Sequence, residues 1–312
     1  MKENTIDFYS KTTLKSYNLE ESIRYQLSML DSLDVFTRKH CENVANITCR
    51  LCERLKMVKE FTVYCTTCAY LHDVGKLFIP PSILQKPGSL TDKEYEIIKS
   101  HTTLGYNMCM DDLKLRPYAN GPLYHHEALN GSGYPNGVKK KDIPIEGQII
   151  RVADEFDAIV SKRQYKTHIG ITDTLRLLVK EAQPIPKSIA LKSIESNTKL
   201  GKLNPKIVRA LFAVVIEDTE YEISCIMDYM KYIREQLKRL EIIKNYNYKM
   251  QKAKSQKKKD YLKACIESLF EGGETMGNFM YVLEEYSAVY LKKKEQVNNL
   301  FSEIKQIKKL RV

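Results

Sequence analysis

The stretch "YLHDVGKLFIP" (residues 70–80) closes an apolar helical run with His72-Asp73 and follows it at once with Gly75-Lys76. Phe61, Cys65, Cys68 and His72 recur at helical intervals, so this imidazole stands where the pattern calls for an apolar side chain. The same substitution recurs outward along the chain. His40 heads a stripe through Val44, Ile47, Leu51 and Leu55. In "SLTDKEYEIIKSHTTLGY" (residues 89–106) Thr91 and Glu94 predict a capping box, after which Tyr95, Ile98, His101 and Gly105 share one face. No comparable strand alternation occurs, and the expected fold class is all-α.

Composition bounds the rest. A chain of 312 residues with 43% hydrophobic and 29% charged residues has room for a globular domain and an accessory region. No window approaches the roughly 18 to 20 apolar residues that a membrane span needs. The N-terminus "MKENTIDFYS" lacks the apolar core of a signal peptide. A cytoplasmic protein without disulfides is expected, since the 8 cysteines need not pair to stabilise a chain of this length.

Charge and helix breakers divide the chain. Of the net +11, residues 231–312 supply +9, with 19 Lys plus Arg against 10 Asp plus Glu, whereas the other residues hold 31 against 29. All 10 prolines lie at or before Pro205, and beyond it the only glycines are Gly272, Gly273 and Gly277. Ile223, Ile226, Met230, Ile233, Leu237 and Leu240 form a heptad seam before that cluster; Val297, Leu300, Ile304 and Ile307 form another after it. These seams predict a long helical hairpin turning at Gly272-Gly273. The lysine run "MQKAKSQKKKDYLK" is read as a solvated face of its first arm, with no nucleic-acid partner expected. The arms leave three packings open: on each other, on the rest of the chain, or on a second subunit, and a homodimer through these helices is the expectation.

A lone histidine on an apolar face is more often a satisfied core residue than a ligand. Here the cases accumulate. His40, His72 with Asp73, His101, the doublet His125-His126 and Asp154 all fall on core-like stretches. Burying five imidazoles and two carboxylates unpartnered would cost several kcal/mol each, whereas convergence on divalent cations satisfies them together. Neighbours such as His72-Asp73 diverge by about 100° on a helix, which suits a carboxylate bridging two ions. Cys49-x-x-Cys52 with Cys65-x-x-Cys68 imitates a zinc motif, but each pair lies inside a helical stripe and is read as core.

The set His40, "HDVGK" (72–76), "HTTLG" (101–105), "HHEALNGSGYP" (125–135) and "DEFDA" (154–158) closely resembles the HD-GYP family of cyclic di-GMP phosphodiesterases, a branch of the HD superfamily of metal-dependent phosphohydrolases. Order and spacing both match over about residues 30 to 215. The resemblance implies an HD-type helical bundle at 30–216; the residues before it, 1–29, are expected to be a helical lead-in, and the basic hairpin read from the seams occupies 217–312. It implies His40, His72, Asp73, His101, His125, His126 and Asp154 as metal ligands, with Asp73 as bridge. Lys76 would bind the scissile phosphate or protonate the leaving oxygen, acting with Asp73 at the catalytic centre. Gly133, Tyr134 and Pro135 would form a substrate-contacting loop, and Arg163 and Lys166 in "SKRQYK" would hold phosphate oxygens. Glu127 would support the histidines, and His168 would lie in the capping region of the next helix.

The resemblance also implies iron or manganese as the metal. Three-metal members carry glutamate four residues before the first histidine, where this chain has Phe36. Two ions and cleavage of cyclic di-GMP mainly to the linear pGpG are therefore expected. Asn130, where aspartate is common in the family, touches no expected ligand. Two alternatives stay open: a cyclic-dinucleotide-binding scaffold with little turnover, and an HD hydrolase acting on another cyclic dinucleotide.

Overall fold

The computed structural model describes residues 34–161, 170–184 and 200–310. Among them the chain is helical and no strand forms; one isolated bridge pairs Asn130 with Lys139. Two compact units emerge, the first made of the chain up to Val215 together with the residues from Lys309 on, the second covering Ile216–Lys308.

In the first unit, α1 (Val35–Arg54) starts at Asp34, whose carboxylate accepts the backbone N–H groups of Phe36 and Thr37 at 3.0 Å. Its stripe buries His40, Val44, Ile47 and Leu51, as the periodicity predicts. Leu55 to Val58 turn the chain, with Lys56 at φ 58°, into α2 (Lys59–Leu71), which packs on α1. The cysteines of the two stripes, Cys49, Cys52, Cys65 and Cys68, are fully buried in these helices as free thiols. His72 ends α2, and a 3₁₀ turn over Val74–Phe78 follows.

A short turn α3 (Pro81–Leu84) leads to α4 (Asp92–Lys99), which begins on the predicted Thr91/Glu94 capping box. The expected single helix through Gly105 divides at Ser100, and α5 runs from His101 to Asp111. Just past the break α5 crosses the 3₁₀ turn so closely that a Cβ on Gly75 would lie 1.9 Å from the His101 carbonyl oxygen, so residue 75 has to be glycine. Next come α6 (Asn120–Tyr124), α7 (Ile145–Val160) and α8 (Ile171–Ala182). α7 lies against α1 and buries Ile149, Ile150, Val152 and Ala153.

The long α9 (Pro205–Lys252) adds Ile207, Val208 and Leu211 to the buried set of the first unit. Its remainder opens the second unit with α10 (Gln256–Glu267) and α11 (Phe279–Ile307). Both heptad seams are buried, and they face each other: Ile223, Ile226 and Met230 cluster with Val297 and Ile304. Nearer the turn, Leu240 and Ile243 meet Ile266, Phe279 and Leu283. Gly272 and Gly273 adopt φ +57° and +86° at the tip, where a β-carbon would be strained. Arg239 fastens the tip by donating to Glu274 Oε1 at 2.6 Å and to the Leu269 carbonyl at 2.7 Å.

One detail departs from the sequence expectation. The first arm breaks at residues 253–255, inside the lysine run, so the hairpin holds a short third helix. From Gln251 to Asp260 only Ala253 is apolar, and no seam is left to hold the segment continuous with α9.

Candidate metal centre

Four features of the local sequence aim the candidate ligands inward. α1 and α7 present His40 and Asp154 from their buried faces. The end of α2 presents His72, with Asp73 immediately after it. His101 opens α5, and His125-His126 follow α6. Glycine allows these elements to close: a Cβ at Gly121 would sit 2.2 Å from the Cys68 carbonyl oxygen.

Six of the seven expected ligands fall into two groups of three whose donor atoms lie within 4.8 Å of one another: His40, His72 and Asp73, and His101, His125 and His126. Asp73 faces both. Its Oδ2 lies 3.4 Å from His72 Nε2 and 3.8 Å from His40 Nε2. Its Oδ1 lies 3.3 Å from His101 Nε2 and 3.9 Å from His125 Nε2. Asp154 repeats the theme on another side, with Oδ1 3.0 Å from His40 Nε2 and 3.9 Å from His72 Nε2, and Oδ2 3.9 Å from His126 Nδ1. Lys76 is ion-paired with Asp73 Oδ2.

The hydrogen bonds around the imidazoles fix their tautomers. His72, His101 and His125 each direct Nδ1 to a backbone carbonyl: Ala69 at 2.7 Å, Ile98 at 2.6 Å and Pro122 at 2.8 Å. With Nδ1 donating, each Nε2 is an inward lone pair, the form a metal ligand needs. Among the described residues, His72 Nε2 is buried without a hydrogen-bond partner. His101 Nε2 and His125 Nε2 lie 3.1 Å apart with both Nδ1 protons committed elsewhere, so two lone pairs oppose each other. A buried orphan acceptor and a repelling pair are both relieved by a cation, and the donor set of imidazole and carboxylate suits a divalent transition metal. The residues fit such an ion.

Protonation follows the same logic. Burial, reinforced by the neighbouring imidazoles, holds His125 well below the ordinary histidine range. Burial also lowers His101, and takes His126 to about 3 although Asp154 and Asp73 favour its charged form. Burial alone would raise the carboxyls, but Lys76 and His72 hold Asp73 well below its usual range, and His40 and His126 do the same for Asp154. Burial opposes the charged form of His40, yet its bonds to Asp154 and Asp157 outweigh that and raise it to about 9.

Two supporting residues have roles that the sequence reading did not assign. Asp157 Oδ2 lies 2.6 Å from His40 Nδ1, while its Oδ1 accepts from Asn43 at 3.1 Å and Ser161 at 2.8 Å. The signal was present, because Asp157 lies three residues after Asp154 on the same helix face. Glu127 was expected to support the histidines. Instead its buried carboxylate accepts the backbone N–H groups of Asn136 at 2.7 Å and Val138 at 3.1 Å, anchoring the loop that carries Gly133, Tyr134 and Pro135. A carboxylate collects backbone N–H groups of an irregular loop, which no helix ladder satisfies.

That loop lies on the histidine doublet. Tyr134 stacks on His126 with ring centres 4.6 Å apart, and its N–H donates to the His126 carbonyl at 3.1 Å. Gly133 packs so tightly that a Cβ there would fall 2.3 Å from the Ala128 nitrogen. Asn130 caps its own turn by accepting from Ser132, and Phe36 is exposed. Arg163, Lys166 and His168 lie outside the described residues.

Comparison with known proteins gives the following. The family model described as HD domain matches residues 24–185. A cyclic di-GMP phosphodiesterase of Thermotoga maritima is 39% identical over 198 residues, 62% of this chain and 49% of its own length. The cyclic di-GMP phosphodiesterase response regulator RpfG of Xanthomonas campestris is 34% identical over 172 residues, 53% of this chain and 46% of its own. A 3'3'-cGAMP-specific phosphodiesterase of Vibrio cholerae is 39% identical over 132 residues, 42% of this chain and 25% of its own. The chain thus spans about half the length, or less, of these curated relatives.

Proposed function

The chain belongs to the HD domain family, and we propose that it is a metal-dependent phosphodiesterase of the HD-GYP kind that hydrolyses cyclic di-GMP, mainly to pGpG. The observation that carries this reading is Asp73, whose two carboxylate oxygens each face a separate group of histidines. That arrangement suits two divalent ions, iron or manganese, held by His40, His72 and Asp154 on one side and His101, His125 and His126 on the other. Phe36 brings no carboxylate for a third. Bound there, divalent cations supply the positive charge that activates a water for in-line attack and stabilises the phosphoryl oxygens.

The protein's own groups do the rest. Asp73 and Asp154 orient the imidazoles, and the Nδ1 bonds of His72, His101 and His125 to backbone carbonyls keep their Nε2 atoms free of a proton. Lys76 offers its ammonium to the scissile phosphate and a proton to the leaving oxygen. The loop Gly133–Pro135, braced by Glu127 and by Tyr134 stacking, borders the substrate. Arg163 and Lys166 hold the oxygens of the second phosphate. The catalytic domain is residues 30–216, after a lead-in at 1–29, and the hairpin at 217–312 joins two copies in a dimer. The reaction belongs in the cytoplasm, and among the described residues no helix is long and apolar enough to cross a membrane.

Product analysis with Mn²⁺, or with Fe²⁺ under anaerobic conditions, tests the activity: pGpG is the expected early product. GMP dominating from the start would remove the two-ion reading, and no turnover would leave the binding scaffold in its place. A second substrate reading rests on the Vibrio cholerae relatives whose names specify 3'3'-cGAMP; the same assay run on both dinucleotides decides between them. Light scattering of a chain ending near residue 216 tests the dimer, which falls if the oligomeric state does not change.

A further inference from the structure

α4 ends beside the loop that covers the histidine doublet. Lys99, its last residue, holds Nζ 4.8 Å from the centre of the Tyr95 ring one turn back. The same ammonium stands 5.6 Å from the centre of the Tyr134 ring, which itself stacks on His126. A Tyr–Lys contact four residues apart is ordinary on a helix surface. Helix geometry does not account for the second ring, which arrives from a different element. From the metal centre outward, His126, Tyr134, Lys99 and Tyr95 form one run of π faces with a cation in it.

The outer end of this run is open and its base is fixed. Tyr95 is 46% exposed. α4 is held at its start by the Thr91/Glu94 capping box, and Lys86 adds an ion pair to Glu94 at 2.7 Å. Lys99 itself pairs with Glu96, whose side chain is 69% exposed; such a surface pair is weak, and a ligand's acceptors can take the place of the Glu96 carboxylate.

We propose that Tyr95 and Lys99 form a guanine-recognition subsite at the rim of the metal centre, the tyrosine stacking on the base and the ammonium donating to its O6 and N7. This rests on reading the chain as a cyclic dinucleotide phosphodiesterase, and it assigns residues that choose the base. Guanine presents two adjacent acceptors on this edge, whereas adenine replaces one with an amino donor that an ammonium cannot satisfy. Lys99 therefore discriminates. Tyr95 stacks on either purine and adds affinity without choice.

The test uses the Mn²⁺-loaded protein with three phosphodiesters: cyclic di-GMP, cyclic di-AMP and bis(p-nitrophenyl) phosphate, which has no base. Lys99→Met is expected to lower kcat/KM for cyclic di-GMP about tenfold, mostly through KM, and to narrow its preference over cyclic di-AMP by the same factor. Tyr95→Ala is expected to lower both dinucleotides together and keep their ratio. Calorimetric affinity for pGpG falls in parallel, independently of turnover. An unchanged guanine-to-adenine ratio in Lys99→Met, or losses as large on the base-free ester as on the dinucleotides, overturns the subsite. A parent protein that cleaves the base-free ester and neither dinucleotide overturns the substrate reading, and the subsite with it.

Discussion

The candidate metal centre and the hairpin are both buried, but by opposite means. In the hairpin, Ile223, Ile226 and Met230 meet Val297 and Ile304, and each contact stabilises the fold on its own. In the centre, His40, His72, Asp73, His101 and His125 occupy equally buried positions with donor atoms directed at one another. Such an arrangement is a net cost to the folded chain unless a ligand answers it. The contrast separates side chains buried for stability from side chains buried for chemistry, and substitutions in each region should fail differently.

The largest effect belongs to Asp73. Asp73→Ala removes the fully buried carboxylate that lies within 4 Å of His40 and His72 on one side and of His101 and His125 on the other, and the expected outcome is loss of bound metal and of activity together. Elemental analysis beside a turnover assay checks it. Full activity in a metal-free Asp73→Ala protein would sink the proposed function. Lys76→Ala makes the complementary cut: metal content should hold while the rate falls.

A step smaller is Asp157, which touches no candidate ion yet holds His40 Nδ1 at 2.6 Å. Asp157→Ala should weaken metal affinity about 10- to 100-fold, as removal of such an orienting partner typically does. Titration with Mn²⁺ against a competing chelator reads this directly. If affinity is unchanged, the tautomer of His40 is set by something else.

On the other side of the comparison, Ile233→Ala in the hairpin seam should cost about 2–5 kcal/mol of local stability, because this side chain is fully buried. Metal content and turnover should be unaffected. Hydrogen exchange resolved along the chain would show the loss confined to residues 216–308, and a parallel drop in metal content would erase the distinction between the two regions.

The same comparison explains what was legible in the sequence. The seams at Ile223–Leu240 and Val297–Ile307 could be read because each residue reports a local period, and the glycine pair could be read because few residues tolerate its φ values. The candidate ligands were visible as polar residues at apolar positions. Their grouping was not, because which histidine lies beside which depends on how α1, α2, α5 and α7 pack, and no local pattern encodes that. Glu127 shows the limit most clearly: its neighbours in sequence are the histidines, but its partners are the backbone of Asn136 and Val138. The helix break at 253–255 was missed for a different reason. A lysine run has good helix propensity residue by residue, and only the lack of an apolar seam undoes it.

The smallest effect is the pH response of the chelated protein. His126 has a folded pKa of about 3, and His101 and His125 are also lowered from the ordinary 6.5, with burial as the main cause. Between those values the unfolded chain takes up protons that the folded chain refuses, so the stability held above about pH 6.5 is lost as the pH falls toward 3. His40 runs the other way. Raised to about 9 by Asp154 and Asp157 against the effect of burial, it contributes fully below 6.5 and loses that contribution as the pH rises to 9. Urea midpoints of the chelated protein should therefore peak near neutrality and decline on both sides. With Mn²⁺ bound, the alkaline decline should disappear, because a ligating His40 has no proton to lose, and uptake of the ion at pH 7 should release protons to the buffer. A metal-bound protein that kept the alkaline decline would place His40 outside the ligand set and leave only the hairpin correctly understood.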